Sequence, residues 1–257
     1  MKISIITATF NSGRTVRDTI ESAYRQTYSN IEYIVKDGGS KDNTLDICEE
    51  LESSFGGKIK IITAVDNGVY DAMNKGIEAS TGDIVGILNS DDFFTSDDVI
   101  AKVAKAFAVD ESIDAVYGDI HFVKDDNLNK CTRYFSSRYF RPWMLRFGFM
   151  PAHPSFYCRK SVFEKYGLYD LQYRTSSDFD MMVRLLWNHK IKTKYLNMDF
   201  VTMREGGEST AGLASKKKVN NDISRSLKAN GIYSNQALQA FRYIWRIGEL
   251  IYTRIKY

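Results

Sequence analysis

Three short stretches of this 257-residue chain place carboxylates where they would do chemistry. Asn89-Ser90-Asp91-Asp92 follows directly on the apolar run Ile84-Val85-Gly86-Ile87-Leu88. Asp37-Gly38-Gly39-Ser40-Lys41-Asp42 follows the strand-like Ile31 to Val35, and Ser176-Ser177-Asp178-Phe179-Asp180 opens a helical stripe of Phe179, Met182, Val183 and Leu186. The first two loops are not phosphate-cradling glycine loops, since neither G-x-x-x-x-G-K-[ST] nor G-x-G-x-x-G occurs in them. An acidic pair meets a nucleotide phosphate through a bridging divalent cation, and Mg²⁺ or Mn²⁺ takes one or two carboxylates together with phosphates and waters. A lone carboxylate such as Asp37 accepts hydrogen bonds from a base N–H or a ribose hydroxyl. A carboxylate such as Asp178 is suited to remove a proton from an attacking hydroxyl.

Each stretch also has a purely structural reading. Asp42 would cap the helix that starts at Asn43, and Asp97 and Asp98 complement the dipole of the helix after Ser96. A turn after Leu88 needs only one Asp, so Asp91 and Asp92 exceed it by one. Ser177 and Asp180 stand in the relation of a capping box. His153, before Pro154 and Ser155, is either a packed side chain or a ligand, while His121 and His189 carry no signal. The glycines of Arg204-Glu205-Gly206-Gly207 form a turn or let backbone approach a sugar or diphosphate.

Positioning these loops takes alternating elements. Strands are expected at Ile3 to Thr9, Ile31 to Val35, Ile59 to Val65 and Ile84 to Leu88, with helices around Val16 to Tyr24, Thr44 to Leu51 and Tyr70 to Ala79. Such spacing implies right-handed crossovers, a largely parallel sheet, and ligands beyond the carboxyl ends of its strands. After about residue 110 the rhythm changes. Strands at Ala115 to Tyr117 and Ile120 to Val123 turn at Asp125-Asp126-Asn127 into another at Cys131 to Phe135; Ser155-Phe156-Tyr157 reads as a strand and Ser177 to Asn188 as a helix.

Composition narrows the class. At 44% hydrophobic and 26% charged, with three prolines, the chain reads as globular, and no apolar run reaches the length of a membrane span. Met1 to Phe10 reads as a strand instead of a secretion signal. Cys48, Cys131 and Cys158 have no paired spacing, which points away from disulfides or zinc and toward a reducing cytoplasm. The net charge of +3 hides an asymmetry: residues 215–257 carry nine Lys/Arg against Asp222 and Glu249, a balance of +7, which leaves −4 for residues 1–214. In that segment Leu238, Phe241, Trp245, Leu250 and Ile251 interleave with Arg242, Arg246, Arg254 and Lys256. It is either a helix packed on the body with its charges in water or an interfacial helix drawn to anionic lipid. It carries no base-reading motif, so nucleic acid is not an expected partner.

With the loops in order, the sequence resembles the family 2 glycosyltransferases of the GT-A fold, over roughly residues 2–210. The motifs are Thr7-Ala8-Thr9-Phe10-Asn11, Asp37 to Thr44, Asp66-Asn67-Gly68-Val69-Tyr70-Asp71-Ala72-Met73-Asn74-Lys75-Gly76-Ile77, Asn89 to Asp92, and Ser177 to Asp180 followed by Val183-Arg184-Leu185. The third resembles a subgroup of bacterial surface-polysaccharide and O-antigen enzymes. The resemblance implies an α/β, doubly wound, mostly parallel sheet with a small antiparallel acceptor-side portion and a C-terminal helical extension. Residues 1–214 would form the catalytic domain, with a nucleotide-binding half at 1–110 and an acceptor half at 111–214, and 215–257 would be the basic helical extension. It also implies an inverting, Mn²⁺- or Mg²⁺-dependent transfer of a hexose, Glc or Gal, from a UDP-sugar to a lipid-diphosphate-linked saccharide, at the cytoplasmic face of the inner membrane. Phe10 would lie against the uracil and Asp37 would bond it, with Thr7, Ala8, Asp66 and Asn74 on the donor side. Asp91 would contact the ribose or sugar, Asp92 the metal, and Asp178 would be the base. His153, Asp180, Gly206 and Gly207 would border the acceptor or diphosphate. Gly38, Asn89, Ser177 and Met73 depart from the residues usual at those positions. Two other classes fit an open α/β sheet with a metal. A nucleotidyltransferase would carry a glycine-rich basic loop after the first strand, which Thr7 to Gly13 lacks, and a carbohydrate-binding protein would not need metal, base and acceptor loops together.

Overall fold

The computed structural model describes residues 1–56, 58–206 and 212–256. The β-branched runs at the start become parallel strands: β1 (Ile3–Thr9), β2 (Ile31–Asp37), β3 (Ile59–Thr63) and β4 (Ile84–Ile87). Between them lie α1 (Val16–Tyr24), α2 (Thr44–Ser54) and α3 (Val69–Ala79). These four strands pair in parallel in the order β3-β2-β1-β4, so the loops after all of them open on one edge. Alternate residues of β1 face opposite layers. Ile3 and Ile5 pack with Val16, Ile20 and Phe107, whereas Ile6 packs with Ile34, Met73 and Ile77. Gly76 lets α3 lie close on β1, since a Cβ there would come within 2.4 Å of Ile6.

The sheet then changes character. A two-residue β5 (Phe93–Phe94) and α4 (Val99–Val109) lead into β6 (Ala115–Lys124), which turns back as β7 (Asn127–Phe135). The two strands expected over 115–123 form one, with register shifts around Gly118. β8 (Tyr157–Arg159) and β9 (Thr193–Arg204) complete the sheet, in the order β3-β2-β1-β4-β8-β6-β9-β5, with β7 paired to β6. β4 and β6 are antiparallel to β8, and β5 is antiparallel to β9, which makes the antiparallel portion. The strand expected at Ser155 starts two residues later, because His153–Ser155 forms a 3₁₀ turn around Pro154, which has no N–H for a ladder.

The remaining helices are α5 (Lys160–Tyr166), α6 (Ser177–Met182), α7 (Gly212–Ala229) and α8 (Gln236–Lys256). The helix expected over 177–188 is α-helical only to Met182 and winds as a π-helix over Val183–Asn188. Among the described residues no helix is long and apolar enough to cross a membrane.

Candidate active site

The loops after β1 and β2 are tied to each other. Asn11 takes a left-handed φ of 50°. Its N–H donates to Ser40 Oγ at 2.9 Å, and its Oδ1 accepts the Lys41 N–H at 2.8 Å. The preceding Phe10 is left 62% exposed, an aromatic face standing in water at the carboxyl edge. Asp37 is fully buried: Oδ2 accepts the N–H groups of Gly39 and Ser40 at 2.8 and 3.0 Å, and Oδ1 the hydroxyls of Thr9 and Ser40. A Cβ at position 38 would lie 3.4 Å from both the Phe10 ring and Asp66 Oδ2, so a second acid there would meet the Asp66 charge.

Lys36, a fully buried cation, anchors the floor. Its ammonium donates to Asp37 O, Ala64 O and Asp66 Oδ2 at 2.8, 2.7 and 2.6 Å, which uses all three protons. Asp66 Oδ1 pairs with Lys75 at 2.7 Å, and Lys75 also meets Asp71 at 3.0 Å. Asp66 is therefore the shared counter-ion of Lys36 and Lys75. Thr7, fully buried, shares a hydrogen bond with Tyr33 at 2.8 Å, and half-buried Ala8 packs on the core cluster of Ile6. Asn74 clasps the backbone of Tyr169 through Nδ2 to O at 2.8 Å and N to Oδ1 at 2.9 Å. Thr7, Asn74 and Asp66, expected on the donor side, each engage a protein partner here.

After β4, Ser90 meets Ser12 Oγ at 2.9 Å, its carbonyl accepts from Thr15, and Thr19 donates to Asp92 O at 2.7 Å. Asp92 has no exposed surface; Oδ2 accepts from Asn89 Nδ2 at 2.8 Å and Oδ1 from the Arg204 N–H at 3.2 Å. Asp92, expected at the metal, is thus held by protein partners on both oxygens, whereas the adjacent Asp91 is half-buried. Burial pushes Asp92 well above the usual carboxylate range, and the neighbouring Asp91 adds to the rise; burial likewise raises Asp91, with Asp125 adding to it and Arg204 opposing.

Arg204, at the end of β9, is the residue that sequence reasoning placed in a loop. Its side chain is 6% exposed. It donates to Asp91 O at 2.7 Å, pairs with Asp18 and, at 3.1 Å, with Asp125, and covers the Phe93 ring. Gly206 follows in a turn at φ 108° with open space around it, and Gly207 lies outside the described residues.

A hard divalent cation fits this end of the cleft. Asp18, Asp91, Asp92 and Asp125 surround Arg204, so carboxylates exceed cations, and Asp91 supplies a partly open oxygen donor. Among the described residues no group of three or more His, Cys, Asp or Glu stands ready to cage an ion. Such an arrangement suits Mg²⁺ or Mn²⁺, which completes its shell with substrate phosphates and water.

Across the cleft, Asp178 sits half-buried at the head of α6. Its Oδ1 accepts from the Tyr70 hydroxyl at 2.9 Å and from the Phe179 N–H at 2.8 Å. Burial and the Asp178 charge raise the Tyr70 phenol well above its ordinary pKa, so it stays a donor. Behind it the ring of His153 is buried, 2.7 Å from the Tyr169 hydroxyl, and burial lowers its pKa against the pull of Asp178. Asp180 points the other way. It is 2% exposed, pairs with Arg184 at 2.9 Å and accepts from Ser226 at 2.7 Å. Neither the capping box nor an acceptor-side role describes it: the N-cap is Ser176 without a side-chain cap bond, and Ser177 donates to Asp170 O instead.

Comparison with known proteins places this fold in a family. The model of the family described as "Glycosyl transferase family 2" matches residues 4–167. A "PGL/p-HBAD biosynthesis glycosyltransferase" of Mycobacterium bovis BCG is 31% identical over 214 residues, which is 83% of this chain and 81% of the relative. Staphylococcus aureus TarS 1-349 in complex with UDP-GlcNAc superposes with a TM-score of 0.65 at 18% identity, over 93% of this chain and 71% of that one; in a longer TarS structure the chain spans 45% of the length. A mannosyltransferase of Pyrobaculum calidifontis, in complex with GDP-Man and Mn²⁺, superposes with a TM-score of 0.61 at 14% identity, over 99% of this chain and 86% of that one.

Proposed function

Since the chain belongs to glycosyl transferase family 2, we propose that it moves a hexose, Glc or Gal, from a UDP-sugar to a lipid-diphosphate-linked saccharide of a bacterial surface polysaccharide or O-antigen. Transfer inverts the anomeric carbon to a β linkage. One observation carries this reading: within the two acid motifs Asp91 and Asp178 keep exposed surface, while their neighbours Asp92 and Asp180 are buried against protein partners. The nucleotide sugars held by TarS and by the archaeal mannosyltransferase, the latter with Mn²⁺, support a nucleotide-sugar donor and a divalent ion.

Phe10 stacks on the uracil, and a uracil N–H takes the place of the Ser40 hydroxyl at Asp37 Oδ1. Asp91 would hold Mn²⁺ or Mg²⁺, which when bound would supply Lewis-acid stabilisation of the charge on departing UDP. Asp178 takes the proton of the acceptor hydroxyl: Tyr70 and the Phe179 N–H fix Oδ1, which aims Oδ2 for the transfer. His153 and Tyr169 form the wall behind it. Because the acceptor is a lipid, the reaction takes place at a membrane face, read as the cytoplasmic one.

The test is a panel of UDP-sugars with Mn²⁺ and a synthetic lipid-diphosphate saccharide. UDP release with one hexose donor, abolished by EDTA and restored by Mn²⁺, is the expected result. Failure to consume any UDP-sugar, with or without acceptor, would overturn the reading.

A further inference from the structure

A helix on a protein surface ordinarily buries its apolar stripe and leaves its polar stripe in water. α8 does the reverse. Gln239, Arg242, Arg246, Glu249 and Thr253 recur at i, i+3, i+7, i+10 and i+14 and so share one face. All of them but the exposed Arg246 turn toward the body. Gln239 and Thr253 are buried, Gln239 donates to Ser224 Oγ at 3.0 Å, the Tyr134 N–H donates to Thr253 Oγ1 at 2.9 Å, and Arg242 bonds Asn220. Burial raises Glu249, with Arg133 and Arg246 opposing the rise.

The opposite stripe is apolar and open: Ile244 is 65% exposed, Ile247 59% and Ile251 55%. Ala237, Ala240 and Gly248 lie on the same exposed side. A line of aromatic rings continues it onto the body, from Phe241 to Phe147 at 6.0 Å and on to Trp143 at 5.9 Å, with Phe241 and Trp143 both more than half exposed.

We propose that this outward face of α8 docks on an anionic lipid surface, with the helix lying in the plane of the headgroups. Charge selects this occupant. Residues 215–257 carry +7 on a body of −4; exposed Arg254 lies on α8 beside the apolar stripe, and the charge of Lys216 reaches Tyr243 of the same helix. Basic residues beside a Trp- and Ile-bearing stripe are what an interfacial helix presents to acidic headgroups. A second copy is the poorer occupant, because pairing the stripes brings together two copies of a net-basic segment, Arg254 beside each stripe included. The helix is too polar to cross the bilayer.

Vesicle binding needs no sugar transfer, so the docking face and the transfer reaction fail separately. The full chain should float with vesicles containing phosphatidylglycerol, remain in solution with pure phosphatidylcholine vesicles, and be released by high salt. The triple variant Ile244→Ser, Ile247→Ser, Ile251→Ser changes only exposed side chains, and its partition onto anionic vesicles should fall by at least about tenfold with an unchanged thermal midpoint. Three results overturn the proposal: no flotation of the wild type, wild-type flotation of a folded triple variant, or a dimer in sedimentation that the triple variant dissolves while neither form binds vesicles.

Discussion

The loop after β4 and the head of α6 each hold two aspartates, and each pair divides in the same way. Asp91 and Asp178 keep exposed surface; Asp92 and Asp180 are buried against protein partners. The two regions reach this division by different routes. In α6 it follows from local geometry, since residues two apart on a helix point about 200° from each other. Beyond β4 it is tertiary, because Asp92 is closed by the N–H of Arg204, 112 residues away. A pair of adjacent acids is therefore not a pair of ligands, and the partner of each oxygen decides which acid is free.

Removing the open acids should have the largest effect. Asp178→Asn is expected to lower transfer by about 10²–10⁴-fold while UDP still binds, as turnover and UDP titration would show. Asp91→Asn should weaken metal-dependent UDP binding by more than about tenfold, with the thermal midpoint preserved. Near-normal values for either variant would break the division. The closed acids should act on stability instead. Asp180→Asn removes the charge opposite Arg184 and leaves one accepting oxygen for the donors of Arg184, Ser226 and Asn230, which should cost about 1–3 kcal/mol in urea unfolding. Asp92→Asn turns an accepting oxygen into a donor facing either the Asn89 amide or the Arg204 N–H, a loss of about 1–3 kcal/mol.

The pH dependence sharpens the contrast further. Burial raises Asp92 in the folded state, so its contribution favours the fold below the ordinary carboxylate pKa of about 3.9 and is lost as pH rises through the raised value. Urea midpoints of the wild type should fall over that rise, and Asp92→Asn should flatten the curve. An unchanged slope in the variant would assign the shift elsewhere.

Much of this was legible in the sequence. Runs such as Ile3 to Thr9 and Ile84 to Leu88, separated by amphipathic stretches, mark a parallel sheet from local periodicity alone, and the loops after them hold Phe10 and Asp91. What stayed hidden depends on partners distant in the chain. β9 alternates polar residues such as Lys194, Asn197 and Asp199 with apolar ones, and its pairing with β6 and β5 sets its place. Lys36 reads as a surface lysine until Ala64 and Asp66 supply its acceptors. Asn74 reads as a donor ligand until Tyr169, 95 residues on, fills its amide. The inversion of α8 is visible only once β7 and the Pro142–Phe147 segment show which side is covered.

The clasp between α3 and the segment ahead of α6 has a mechanical consequence. Tyr70 and Asn74 are one helical turn apart, so a single face of α3 grips Asp178 with one side chain and the Tyr169 backbone with the other. Since α3 lies on β1, the strand that leads into Phe10, Asp178, the proposed proton acceptor, is registered to the Phe10 ring through one rigid strut. Any tilt of that strut would move Asp178 and Phe10 together, so in the proposed reaction the spacing between donor and acceptor would be set by a helix.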